Sequence, residues 1–285
     1  MRQTGIVVLC LSSALALSAC QKNSDEQVQR ALQDISASDE AGLNNVMMTA
    51  ADPAEAVAYF TKVLAENPGR IDLQRGLARS LIRAQKPVEG AAAWRDVVAN
   101  AEASPEDRVM LADALIRSNT WDEARAELNL IPPTHETFDR YRVEAMVADA
   151  DKNWKKADSF YEIAVSLTTK PASVLNNWGF SKLTRGEHAG AEKLFVEALT
   201  FDPGLFTAKN NLVLARAAQR KYDLPVVRMT QQERAELLYS MALAAIKQGD
   251  VTVGKGLLQQ AIDTHPQHFE AATRSLAALD SNVQL

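Results

Sequence analysis

The sequence predicts an all-helical solenoid in which helical hairpins stack one upon the next behind an N-terminal lipidation signal. Three observations predict it. A small residue recurs at Ala56, Gly90, Ala124, Ala157 and Ala191, at separations of 34, 34, 33 and 34 residues. Each is followed four positions later by a bulky one: Phe60, Trp94, Leu128, Tyr161 and Phe195. Glycine is sparse, at 12 of 285 residues, while 47% of the chain is hydrophobic and 24% charged, a balance that suits a folded helical body. Finally, an apolar run after Arg2 ends abruptly at Cys20, as an export signal does.

In chain order, the first element is residues 1–19, read as a signal peptide. The run "GIVVLCLSSALALSA" is too short to span a bilayer as a stable helix. Leu17-Ser18-Ala19-Cys20 resembles a bacterial lipobox, with cleavage before Cys20 and lipid added to its thiol and its new amino group. Cys10 would leave with the signal, so no disulfide is available to the mature chain. Each buried acyl methylene contributes about 0.8 kcal/mol, so several chains hold a protein on a membrane almost permanently. In lipoproteins, Gln21 rather than aspartate after the cysteine implies retention in the outer membrane, with the body in the periplasm. Residues 20–36 then read as the lipidated cysteine and a polar tether, with a reach of roughly 20 Å.

Residues 37–221 hold the repeats. The clearest copy is 172–205, "ASVLNNWGFSKLTRGEHAGAEKLFVEALTFDPGL". Small Gly179 and Ala191 let two helices cross closely, Gly186 permits the turn between them, and Pro203 ends the second helix. Residues 37–70 keep Ala56, Phe60 and Pro68; 71–104 keep Ala78, Gly90 and Trp94. Residues 105–137 keep Ala112, Ala124 and Leu128, with "IPP" cutting the second helix short, and 138–171 keep Ala145, Ala157, Tyr161 and Ala164. This pattern resembles the tetratricopeptide repeat, and the resemblance implies a right-handed superhelical array of five repeats plus one extra helix.

That extra helix, in "FTAKNNLVLARAAQRKYDLPVVRMTQ", loses its partner to an irregular connector at 222–234 that contains Pro225. The connector reads either as a degenerate repeat or as a joint or binding feature. Residues 235–285 hold a last, out-of-phase repeat with Ala242, Gly249, Gly254, Leu258, Ala261 and Pro266, and a terminal helix that covers the end of the stack.

Several function classes are disfavoured. A formal charge of −5 and a pI near 5.5 argue against a nucleic-acid partner. The chain carries no Gly-rich phosphate loop, cysteine metal motif or nucleophile elbow, so no catalytic residue, cofactor, metal or small-molecule substrate is expected. His265 and His268 read as turn residues, and Trp94, Trp121, Trp154 and Trp178 as packing residues.

A surface remains. In tetratricopeptide arrays the first helices line a groove, and that mapping presents Arg75, Arg79 and Arg83, then Arg142, Asn176 with Phe180, Asn210 and Tyr239. Such residues suit an extended peptide or its terminal carboxylate. The competing expectation is that the arginines pair internally with Asp72, Asp113 and Asp149.

The segments "NNWGFSKLTRGEHAGAEKLFVEAL" and "LFTAKNNLVLARAAQRKYDLPV", joined to a lipobox and a repeat array, resemble the TadD family, lipoproteins of Tad/Flp pilus assembly. The resemblance implies a non-catalytic, pilotin-like scaffold that binds pilus components, with the secretin a candidate. Two alternatives stand beside it. One is an outer-membrane adaptor for barrel assembly or for peptidoglycan enzymes. The other is a periplasmic hydrolase, which turnover dependent on His265 or His268 would reveal.

Overall fold

The computed structural model describes residues 40–281, all helix and turn with no strand among them. The signal peptide, Cys20 and the tether lie outside the described residues. Residues 40–49 form α1, followed by α2 (Pro53–Glu66), α3 (Ile71–Arg83), α4 (Pro87–Ala99) and α5 (Pro105–Arg117). Then come α6 (Trp121–Asn129), α7 (Phe138–Ala150), α8 (Trp154–Ser166), α9 (Ala172–Thr184) and α10 (His188–Phe201). The last four are α11 (Phe206–Ala218), α12 (Gln231–Lys247), α13 (Val251–Thr264) and α14 (Glu270–Ser281). None of these helices is long and apolar enough to cross a membrane. The described residues fall into two compact units, 40–107 with 117–119, and 108–116 with 120–281.

Within each unit the small-then-bulky pattern is the core. Ala56, Ala124, Ala157 and Ala191 are fully buried, and so, to within a few per cent, are Phe60, Trp94, Tyr161, Phe195 and Leu258. The reason for the small residues is steric. A Cβ on Gly179 would stand 2.6 Å from Cε1 of Phe195, and one on Gly254 only 2.4 Å from Cγ1 of Ile246. Neither helix pair could then approach as closely.

Every first helix from α3 onward that is followed by a hairpin turn ends the same way. Gln85, Asn119, Lys152, Gly186, Arg220 and Gly249 all adopt positive φ, between 57° and 86°. The following amide then closes on a carbonyl five residues back, as Lys86 does on Leu81 and Asp250 on Ala245. Only two of the six are glycine. The expected turn at Gly186 is therefore a backbone geometry that recurs from repeat to repeat, imposed on non-glycine residues elsewhere.

Arg220 shows what happened to the missing helix. The turn forms, with Lys221 N–H on the Arg216 carbonyl at 3.0 Å, but no second helix follows. Pro225 would have fallen inside it, where a missing N–H and a ring clash break the ladder. The connector instead packs Tyr222, Leu224 and Met229 against the C-terminal core and Val227 against the core of α9–α11. Arg216 bonds Asp223, and Tyr222 bonds Asp250. These contacts fit a degenerate repeat. The expected boundary at 234 moves: α12 begins at Gln231, because Thr230 accepts from the Glu233 amide while the Glu233 carboxylate accepts from the Thr230 amide.

Candidate functional site

The arginines of the first unit are mostly occupied. Arg75 Nε and Nη2 each donate to Asp107 at 2.7 Å, one to each carboxylate oxygen. Asp107, whose side chain is 4% exposed, also accepts from the Ser104 amide and hydroxyl. Burial pushes this carboxyl up, but the Arg75 and Ser104 hydrogen bonds outweigh it and hold it below the ordinary range. Arg83 donates to the carbonyls of Met47, Met48 and Ala51 at 3.1, 2.7 and 2.6 Å, which satisfies the open C-terminal end of α1. Of the three, only Arg79 is exposed without an ion pair among the described residues. Asp72, an expected partner of this row, pairs with Arg70 instead.

In the second unit the competing expectation of internal pairing is met at Asp113. Arg142 is 14% exposed and bonds Asp113 at 2.9 Å and Asp139 at 3.1 and 3.2 Å. Asn176 accepts from Asn211 at 3.0 Å, and Tyr239 leans on Phe269 with its hydroxyl 3.4 Å from Ser275. Asn210 and Asn177 make no side-chain hydrogen bond among the described residues. Asp149, expected to hold an arginine, accepts from Tyr161 at 2.8 Å and Ser181 at 2.6 Å. Burial pushes its carboxyl above the ordinary range, and these two donors only partly offset that.

These pairings leave a different row open. Met146, Phe180, Leu214 and Leu243 occupy one equivalent position on α7, α9, α11 and α12. Phe180 is 51% exposed and Leu243 42%. Two cavities open along this row. One, of about 350 Å³, is lined by Met146, Phe180, Trp121, Trp154 and Tyr161, with Asp149 at its wall. The other, of about 680 Å³, lies between Leu214 and Leu243 and reaches Lys247. Concave space of this size lined by apolar and aromatic side chains with a few polar groups is the usual form of a binding site.

Trp121 and Trp154 were expected to pack; here they line the first cavity. Trp154 is held in place from behind. The Arg185 guanidinium lies 5.6 Å from the Trp154 ring centre, and Arg185 Nη2 donates to both Asp158 oxygens at 2.7 Å. Trp178 Nε1 donates to Asp158 at 2.6 Å while its ring stacks on Tyr161. The two cavity tryptophans open α6 and α8, one repeat apart, and that shared position was the sequence signal for them. His265, in contrast, sits at the end of α13 against Phe269, with its Nδ1 near the Gln267 backbone.

Both units thus contain stacked helix hairpins, and in the second the first helices offer a partly apolar face, the form of a helical-repeat binding protein. Tetratricopeptide-repeat models match residues 47–106 and 236–268, and the helical hairpins have the tetratricopeptide-repeat fold. No curated protein sequence matches it. Among solved structures it is similar to the Cut9–Hcn1 hetero-tetramer of the APC/C, at 12% identity and a TM-score of 0.60, over 83% of this chain and 48% of that one. It is also similar to the human IFIT1 dimer with PPP-AAAA, at 16% identity and a TM-score of 0.56, over 80% of this chain and 59% of that one. A third is the C-terminal part of a TPR repeat-containing protein from Cytophaga hutchinsonii, at 16% and 0.50, over 82% and 98%. The chain spans about half the length of the first two. Likeness at these identities establishes the fold alone.

Proposed function

We propose that this protein is a non-catalytic adaptor, anchored by lipid to the outer membrane, that grips segments of protein partners during assembly of a Tad/Flp-type pilus. The observation that carries the gripping role is the row of Met146, Phe180, Leu214 and Leu243, with Phe180 and Leu243 exposed, and the two cavities along it. The anchor is supported by Leu17-Ser18-Ala19-Cys20 followed by Gln21, and the pilus role by the stretch from Asn176 to Val226 that resembles the TadD family. The arginine row carries no part of the reading, since Arg75, Arg83 and Arg142 serve internal bonds.

The test has two arms. Cys20→Ser should abolish incorporation of labelled palmitate and move the protein from the outer membrane to the soluble periplasm; continued lipid uptake would remove the anchor from the proposal. Capture from solubilised outer membranes, native protein against Phe180→Ser with Leu243→Ser, should recover pilus components, the secretin among the candidates, only with the native chain. Recovery of barrel-assembly or peptidoglycan proteins instead would replace the pilus reading with the adaptor alternative.

A further inference from the structure

We infer that the groove of the second unit takes an uncharged, proline-rich segment of a partner protein in polyproline-II conformation, with an apolar side chain at each third position. The inference rests on the proposed partner-binding role of this groove and adds the register and chemistry of what enters it.

The spacing argument comes first. Met146, Phe180, Leu214 and Leu243 stand one to a helix on α7, α9, α11 and α12. Helix α9 packs on α11 and α11 on α12, while Ser181 of α9 bonds Asp149 of α7 at 2.6 Å. Packed helices have axes about 8–10 Å apart, so the row presents an apolar contact at about that interval. A polyproline-II segment has three residues per turn and rises about 3.1 Å per residue, which returns the same face about every 9 Å. A β-strand returns its face at about 6.6–6.8 Å and again at twice that, and fits neither interval.

An α-helical segment also returns a face near this distance, about 10.5 Å over seven residues. The polar groups beside the row decide between them. Asn177 and Asn210 make no side-chain hydrogen bond among the described residues, and Asn177 lines the first cavity. A helix has its own amides and carbonyls bonded internally. Polyproline II leaves its backbone groups open, so side-chain amides along the row have partners to bond.

Charge supplies the third constraint. The linings of the two cavities carry one acid, Asp149, and one base, Lys247, at opposite ends of the row. Asp149 is already engaged by Tyr161 and Ser181. A charged residue in the middle of the bound segment would be desolvated with no partner, which is strongly unfavourable. Phe180 and the tryptophans of the first cavity also suit proline rings, which dock on aromatic walls.

The experiment uses the purified full-length chain and three end-capped synthetic peptides, read by fluorescence anisotropy. Two share one composition of leucine, proline and alanine, with leucine at each third position or scrambled; the third is helical with leucine at heptad spacing. The expected result is at least tenfold tighter binding of the third-position peptide. Phe180→Ser and Leu243→Ser should each weaken it severalfold at unchanged helicity. Equal affinity for ordered and scrambled peptides, or tighter binding of the helical one, overturns the inference. If the groove variants still weaken those bindings, the partner-binding role of the groove stands without it. If no peptide binds and the variants capture partners as the native chain does, both fall.

Discussion

Replacing Arg75 by alanine separates the two roles an arginine on a repeat helix can have. The guanidinium makes two hydrogen bonds of 2.7 Å to Asp107, and that carboxylate is 4% exposed. Hydrogen bonds involving a charged group contribute about 1.5–3 kcal/mol, and a buried charge left without its partner raises the cost further. Two facts limit the loss: Arg75 is itself 29% exposed, and the Ser104 amide and hydroxyl still hold Asp107. Arg75→Ala should therefore destabilise the first unit by about 2–3 kcal/mol, and a cycle with Asp107→Ala should show strong coupling. Because repeat proteins can unfold in parts, hydrogen exchange of the α3 amides is the appropriate assay beside urea unfolding.

The pH dependence has a definite sign. The folded Asp107 carboxyl lies below its ordinary value, so its stabilisation is fully present above the unfolded value, about 3.9, and is lost as pH falls through the depressed one. Arg75→Ala should shrink that acid loss. An Arg75→Ala protein as stable as the native one, yet unable to capture partners, would refute the argument and return Arg75 to the groove.

Three further substitutions test the fold. Gly179→Ala should cost about 1–3 kcal/mol in urea unfolding, because its Cβ would meet the fully buried Phe195 ring at 2.6 Å; a neutral result would mean that ring moves freely. Lys152→Gly should raise the unfolding midpoint, by a net gain of about 0.5 kcal/mol, since an exposed lysine at φ 57° gives up left-handed strain while glycine brings extra unfolded-state entropy. Gly186→Ala, at φ 86°, should move the midpoint the other way by about 1 kcal/mol, and like signs for the two would contradict the shared turn geometry.

The repeat was written in the residues themselves, because the close crossing of two helices needs a small residue and the space beside it a bulky one. Ala191 and Phe195 carry that requirement in their identities and their spacing, and both are fully buried. The lost helix was also legible, since Pro225 would fall in its interior, where proline lacks the N–H and clashes with the preceding turn. The site was legible only in part. The groove-facing helices were identified, and Phe180 with them, but the residues chosen beside it were mainly the polar ones. Whether an arginine meets a ligand or a neighbouring carboxylate depends on which side chain across the helix pair reaches it, and sequence spacing does not encode that. Arg75 reaches Asp107, 32 residues away, rather than Asp72, and Asn176 takes its bond from Asn211. Folding brings those partners together from distant parts of the chain, engages Arg75, Arg83, Arg142 and Asn176, and leaves Phe180 and Leu243 exposed on the first helices.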